Sequence, residues 1–546
     1  MSPRFPSVLR SRPYFAAALS GLLFTLASVA GHAATITVTD GSTFVGANTG
    51  CSIARAMTYL NAGMDTNQPF NYCQITGTFG LNDTLVFAPG VTSITVTNNN
   101  VTYIDIPAIS KPLVIDGNSG GAGRVEIKAG AGAFVGGLRV NSNNVTIRNM
   151  AIHGFYPAAI DVGAFSSITI QGNYLGLGLD GTNPTTGNIF GVSLHGSSQV
   201  LVGGNNATQR NVIGMQSTTG IMVSGSDHVQ ILGNYIGIAA DGYSDVGNCS
   251  SDGSDFSCGG INVVALSHDI QIGSEAPGTG NVISLNHGDG IHIAGNGSDG
   301  STPSNVSISG NLIGVAADGF TPRPNGGQMS NYNCGIKIFA ASDDVVSNTI
   351  GGTQPGAGNV IANSPYCGVI VFNGSKLGSA ATNIADIEGN AIFGNGTLAV
   401  DLSATLYGDG VTGNDANGHA GGANLYQNSP ILAHTWRTAA NKLYVTGALA
   451  SSTTPNQMVR VEVFATGSGG NQGERYLGNF GVVTNGSGMV SFKDQGPFDL
   501  PVGPTDIILT VTTDNGTSEY SPGQAFTASS DIIFANSMDS EAVVFP

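Results

Sequence analysis

Residues 278–293 read GTGNVISLNHGDGIHI: two short apolar strands, Val282-Ile283 and Ile291–Ile293, parted by Asn, Gly and Asp. Neither strand is long enough to stand alone. The second belongs to a Gly-apolar-x-apolar phrase that recurs along the chain. It is found at Gly137–Val140, Gly191–Leu194, Gly220–Val223, Gly260–Val263, Gly290–Ile293, Gly335–Ile338 and Gly368–Val371. Ala159–Val162 and Ala399–Leu402 fill the same slot with Ala in place of Gly. The first belongs to an interleaved phrase, Asn-Val-Ile, seen at 211–213, 281–283 and 359–361. A third phrase, Gly-Asn-x-apolar-Gly, occurs at 172–176, 233–237 and 310–314, each followed by Asp-Gly (Asp180, Asp241, Asp318).

Internal repetition of this length marks a stack of supersecondary units that bury a continuous core only together. Strands of three to five residues broken by Gly, Asn and Asp turns predict a right-handed parallel β-helix, the hand following the rule for parallel crossovers. A β-propeller would need antiparallel hairpins and more even spacing than the 22 to 45 residues between successive Gly-apolar phrases. Two coil types alternate, so the structural repeat is a pair of coils. Buried Asn side chains are expected to bond to the backbone of the next coil.

Composition agrees. The chain has 81 Gly in 546 residues, 41% hydrophobic and 10% charged residues, and a net charge of −17. Hydrophobicity this high with so little charge excludes a disordered chain. The acidic balance argues against nucleic acid or an anionic membrane surface as partner. At the N-terminus, Arg4, Arg10 and Arg12 precede the apolar stretch Tyr14–Ala30, and small residues follow. This reads as a secretory signal peptide ending at Ala33 rather than a spanning helix, and no later segment is apolar enough to cross a membrane. Six cysteines suit an oxidising compartment, with Cys51–Cys73, Cys249–Cys258 and Cys334–Cys367 as the expected local pairs.

The expected organisation is signal peptide (1–33), strand-and-helix cap (34–80), β-helix (81–425), β-sandwich (426–530) and tail (531–546). In the cap, Ser52–Asn61 reads as a short amphipathic helix with Ile53, Ala56, Met57 and Leu60 on one side. From Tyr426 onward the strands lengthen and alternate, as at Lys442–Val445, Val459–Phe464 and Ile507–Thr513.

The stretch Cys51–Met57, CSIARAM, resembles the N-terminal signature C-[ST]-L-R-E-A-[IV] of secreted bacterial β-helix proteins with a pectin-lyase-like fold. GNYIGIAADG (233–242) is similar to that family's β-helix repeat, and the segment from Tyr476 to Pro522 is similar to its small Ig-like module. The resemblance spans residues 35–530 and implies export and this fold, not a particular activity. It departs at Ile53-Ala54-Arg55, where the family has Leu-Arg-Glu. Pectate lyases, polygalacturonases, alginate epimerases and phage tailspikes share the fold, so the fold alone names no function. The polygalacturonase Gly-His-Gly and Arg-Ile-Lys motifs are absent, and Asp343-Asp344 read as turn caps.

Strand alternation points the x residue of each Gly-apolar-x-apolar phrase outward, toward solvent. Along the stack this column is Arg139, Asp161, Ser193, Met222, Asn262, His292, Lys337, Ile370 and Asp401, at about 4.8 Å per coil. Long inserts between each Asp-Gly and the next Gly-apolar strand fall in alternate coils and should wall one side, with Tyr243, Phe256, Tyr332 and Asn333 available to line it. His292 and Lys337, with Asp289 beside them, form the candidate catalytic group. This set suits proton abstraction from C5 of a uronic acid in a lyase or epimerase. The alternative is an ordinary polar sheet face. Asn262, Asp161, Arg139, Tyr243, Tyr332 and Asn333 are the candidate substrate contacts, Arg139 and Asp161 reading more simply as a cross-strand ion pair. Asp245, Asp252 and Asp255 cluster in one insert and could hold Ca2+. Asp180, Asp241 and Asp318 point to turn geometry, and His195, His228 and His268 read as surface histidines. A paired-carboxylate glycoside hydrolase is disfavoured, because no neighbouring rungs carry two acids. The expected partner is an extracellular polysaccharide. A non-catalytic binding, adhesion or spacer protein is the competing reading.

Overall fold

The computed structural model describes residues 33–525, apart from 42–49, 65–71, 97–105, 122, 132–134, 182–185, 250–257, 296–301, 327–331, 341–345, 374–382, 406, 416–421, 451–453, 468–469 and 502–505. The expected signal peptide up to His32, Asp252, Asp255, Phe256, Asp343, Asp344 and the expected C-terminal tail lie outside the described residues. No helix among the described residues is long and apolar enough to cross a membrane.

The described residues form a parallel β-helix of three sheets, with twelve, nine and ten strands. From Leu138 onward each coil contributes one strand to each sheet, as with Tyr174–Leu175, Phe190–His195 and Ser198–Gly203, and the strands before it belong to the twelve- and ten-stranded sheets. The nine-stranded sheet is built from the Gly-apolar-x-apolar phrases. Their first apolar residues pair in register from Leu138 to Ile160, Val192, Ile221, Ile261, Ile291, Ile336, Val369 and Val400. Inward Ile and Val from all three sheets merge into one apolar cluster running the length of the stack. This is the long-range cooperation that lets strands as short as two residues persist.

Two polar features explain the Asn- and Gly-rich phrases. Asn173, Asn211, Asn234, Asn281, Asn311, Asn359 and Asn390 form a buried ladder. In it, the Asn281 amide donates to Asn311 Oδ1 at 2.9 Å and to the Ile231 carbonyl at 2.8 Å, while Asn281 Oδ1 accepts from Asn234 N at 2.9 Å. Each Asn from Asn173 to Asn390 accepts the backbone N–H of the preceding coil on its Oδ1. The last glycine of the Gly-Asn-x-apolar-Gly phrase is required by the stacking. Gly237 has φ 84°, and a Cβ there would lie 2.3 Å from the Ser284 carbonyl oxygen. In two of the Asp-Gly pairs the Asp caps a turn: Asp241 Oδ1 accepts from Tyr243 N and Ser244 N at 2.8 Å, and Asp318 Oδ1 accepts from Phe320 N and Thr321 N.

The three expected disulfides all form. At the N-terminal end, the helix Ile53–Ala62 lays Ile53, Ala56, Met57 and Leu60 on the first coil, held by Cys51–Cys73. Ser52 caps it, and Gly63 ends it in the left-handed conformation. Arg55, which departs from the family phrase, donates to the Gly50 carbonyl at 2.8 Å and lies 4.1 Å over the Tyr72 ring.

At the other end, two antiparallel sheets of three and five strands share their own core of Leu443, Val461, Phe492 and Leu509. This C-terminal part supplies acceptors to the backbone of the last coil. Asn424 Oδ1 takes Ala385 N, Thr517 Oγ1 takes Ile387 N, and Glu462 Oε2 takes Gly389 N. The Gly473 carbonyl takes Ile392 N, Gln472 Oε1 takes Asn395 N, and Glu519 Oε1 takes Leu402 N.

Candidate functional site

The outward column is in register across its whole length. Arg139 faces Asp161, then Ser193, Met222, Asn262, His292, Lys337, Ile370 and Asp401 follow, one per coil. The expected solvent face, however, is largely covered. Ser193, Asn262, Ile370 and Asp401 are 0–1% exposed and His292 is 8% exposed. The connections between the ten- and nine-stranded sheets are long in alternate coils, as between Ile236 and Gly259 and between Ile313 and Ile336. Above Ile370 the cover is the Cys334–Cys367 disulfide together with the Tyr366 ring.

Three successive rungs hold Asn262, His292 and Lys337, and Asp289 opens the His292 strand, Asp289–Ala294. Lys337 Nζ lies 3.1 Å from Asp289 Oδ2 and donates to the Tyr332 carbonyl at 3.3 Å. The other Asp289 oxygen accepts Cys334 N at 2.8 Å, so this carboxylate ties the insert to the sheet. Asn262 Nδ2 donates to Thr219 Oγ1 at 3.2 Å. Asn333 is nearly buried, its amide 3.4 Å from the His287 carbonyl.

Sequence reasoning placed Tyr332 at this corner and missed Tyr366 and Tyr407. Tyr332 meets Tyr366 at 5.5 Å and Tyr407 at 4.9 Å between ring centroids. Tyr332 and Tyr407 remain 46% and 48% exposed. The Tyr366 hydroxyl donates to the Tyr407 carbonyl. The available signal was Tyr366 beside Cys367, which the disulfide draws toward Cys334. At the top rung, burial and then Glu519 and Asp409 push the Asp401 carboxyl up to about 7.

The remaining candidates lie elsewhere. Arg139 and Asp161 sit at the far end of the column, with His195 Nε2 3.6 Å from Asp161. Burial raises the Asp161 pKa, opposed by His195 and Arg139. Tyr243 is exposed on its insert, its carbonyl accepting from Arg323 Nε of the next insert at 2.8 Å. Asp245 is occupied with Gly247 N at 2.9 Å. Among the described residues, no group of three or more His, Cys, Asp or Glu has metal-holding geometry.

The outer face of the twelve-stranded sheet is different. There Gln199, His228, Asp269 and Asn305 all take left-handed φ of 50–57° and tip outward on successive coils. His228 and His268 are exposed, bonding Asp227 at 3.0 Å and Asp269 at 2.9 Å. A shallow cavity of about 360 Å3 runs over Gln199, Leu201, His228, Gln230, Asp269 and Gln271. Hydrogen bonds hold both carboxylates below the usual range, chiefly from Ser198 to Asp227 and from His268 to Asp269.

No protein-family model matches the chain, and no curated protein matches it. Among solved structures, it is similar to the A-module of mannuronan C-5 epimerase AlgE6 from Azotobacter vinelandii, at 15% identity and TM-score 0.34 over 59% of this chain and 81% of that one. The AlgE4 A-module from the same organism gives 13% and 0.32 over 58% and 72%. A Geobacillus virus E2 protein, ORF18, gives 13% and 0.31 over 89% and 78%. These likenesses are weak, and the architecture rests on the strand register of the chain itself.

Proposed function

We propose that this chain is an exported polysaccharide-binding β-helix whose nine-stranded face takes a glycan at the corner of Tyr332, Tyr407, Lys337 and His292. The observation that carries this reading is the exposed tyrosine cluster contiguous with a polar column at one-coil pitch. Tyrosine rings offer apolar faces for the C–H side of a sugar ring, and their hydroxyls keep a polar tip in water. Large exposed aromatics on an otherwise polar surface are a recurring mark of interaction sites. The Lys337 ammonium is already engaged by Asp289, so a uronate carboxylate would have to compete for it. That favours binding over a uronate-neutralising role for this lysine.

A second reading, a uronate lyase or epimerase, is supported by His292 standing one rung from the Lys337–Asp289 pair. There the imidazole would take the C5 proton and the ion pair would order the insert around it. Paired-carboxylate hydrolysis has less support, since the column's acids, Asp161 and Asp401, stand at opposite ends. The test is incubation with uronate and neutral polysaccharides, with and without calcium, following retention, reducing ends and absorbance of unsaturated products. Retention without turnover supports binding. Turnover that disappears in His292→Ala supports the enzyme, and neither retention nor turnover overturns both readings.

A further inference from the structure

The chain's single tryptophan lies on the C-terminal part, far along the sequence from the column. Trp436 is on the strand Ile431–Arg437 and pairs across to Tyr444 on Lys442–Leu449. The two rings stack at 4.3 Å between centroids and 7° between planes. Their sequence neighbours Thr435 and Val445 are buried, with Val445 in the core between the two antiparallel sheets. Alternation therefore puts the aromatic pair on the outer side of the three-stranded sheet. Docking to the β-helix uses the other sheet and its continuation, through Arg460 to Glu388, Glu462 to Gly389, Gln472 to Asn395 and Glu519 to Leu402.

The indole is held rather than loose. Its Nε1–H donates to Asp494 Oδ1 at 2.7 Å, and Asp494 N donates to Thr446 Oγ1 at 3.0 Å. Both rings stay half-buried rather than covered, with His434 and Asp494 exposed beside them. Cross-strand stacking alone accounts for hairpin stability. It does not call for a carboxylate that fixes the indole edge and leaves hydrogen-bonding groups around the rings.

We propose that Trp436, backed by the Tyr444 ring, forms a second carbohydrate site for a neutral pyranose chain. Each ring covers one face of the other, so the outer indole face, on the edge strand of its sheet, would meet the C–H side of a sugar, and Asp494, Thr446 and His434 would meet hydroxyls at its edge. Charge selects the neutral class. Of the cations near the rings, Lys442 is held by Asp499 and Arg437 reaches Asn441, Lys493 is exposed, and the chain as a whole carries −17, which repels polyanions.

The experiment is a fluorescence titration of the full chain with cellohexaose, xylohexaose and mannohexaose, because all indole emission comes from Trp436. A saturable change in emission with at least one probe is expected, together with protection from acrylamide quenching. In calorimetry, Trp436→Ala should weaken that binding about tenfold or more. The Trp436 response should persist in the Tyr332→Ala/Tyr407→Ala double variant, which separates this platform from the β-helix face. Unchanged emission and quenching with all three probes would overturn the proposal, as would unchanged binding in Trp436→Ala. The quenching arm uses the unmodified chain, so the test stands even if Trp436→Ala loosens the sheet.

Discussion

The nine-stranded and twelve-stranded sheets present the same coils to solvent in two unlike ways. On the twelve-stranded face, left-handed residues tip His228 and Asp269 into water, where acids and imidazoles bond one another. On the nine-stranded face, a disulfide and the Tyr366 ring pack on Ile370, and Asn262, His292 and Asp401 are buried. Burying polar groups costs free energy unless partners are supplied, so a buried polar column is the less ordinary arrangement. One repeat thus makes a wet surface on one sheet and a desolvated corner on another. The second is the better place to look for recognition.

The largest contrast should come from one residue type placed on both faces. Asp289→Ala strands the half-buried Lys337 and frees Cys334 N, and is expected to cost about 3 kcal/mol or more in urea unfolding. Asp269→Ala, among exposed partners, should cost less than about 1 kcal/mol. Equal costs would erase the distinction between the faces.

The faces should also respond oppositely to pH. Asp401 titrates near 7 in the folded chain, above its unfolded value near 3.9. Its contribution is therefore complete below about pH 4 and lost as pH rises to about 7. Asp401→Asn should remove that loss, a difference of roughly 1–3 kcal/mol at pH 8 after allowance for solvent screening. Asp227 and Asp269 are shifted down, so their contribution is present above about pH 4 and fades in acid. Unfolding curves of wild type and Asp401→Asn from pH 3 to 8 check the first sign, and those of an Asp227→Asn/Asp269→Asn variant check the second. The smallest effect is expected for His228→Ala, exposed and paired only at the surface, at under about 0.5 kcal/mol.

Much of the fold was legible because its signal is distributed. Seven Gly-apolar phrases and two with Ala in the same slot point to one register, and each aligns as its spacing implies. The cap helix was legible from Ser52 and the Ile53, Ala56, Met57, Leu60 stripe, and the disulfides from local pairing. The membership of the column was legible for the same reason, since alternation has a fixed period of two. Its burial was not. Whether His292 meets water depends on how irregular inserts fold, and no periodicity describes them. Tyr366 and Tyr407 reach Tyr332 only through tertiary packing. Nor did the pattern show that Glu462 and Glu519 would serve as acceptors for the last coil, because that pairing depends on how the C-terminal sheets dock.

The most direct test of recognition at the covered corner is retention in affinity electrophoresis through polysaccharide-loaded gels, comparing Tyr332→Ala/Tyr407→Ala with His228→Ala/His268→Ala. The account predicts that the tyrosine variant loses retention about tenfold or more on the polysaccharide that retards wild type, while the histidine variant keeps it. Equal retention of both variants, or loss confined to the histidine variant, would contradict it.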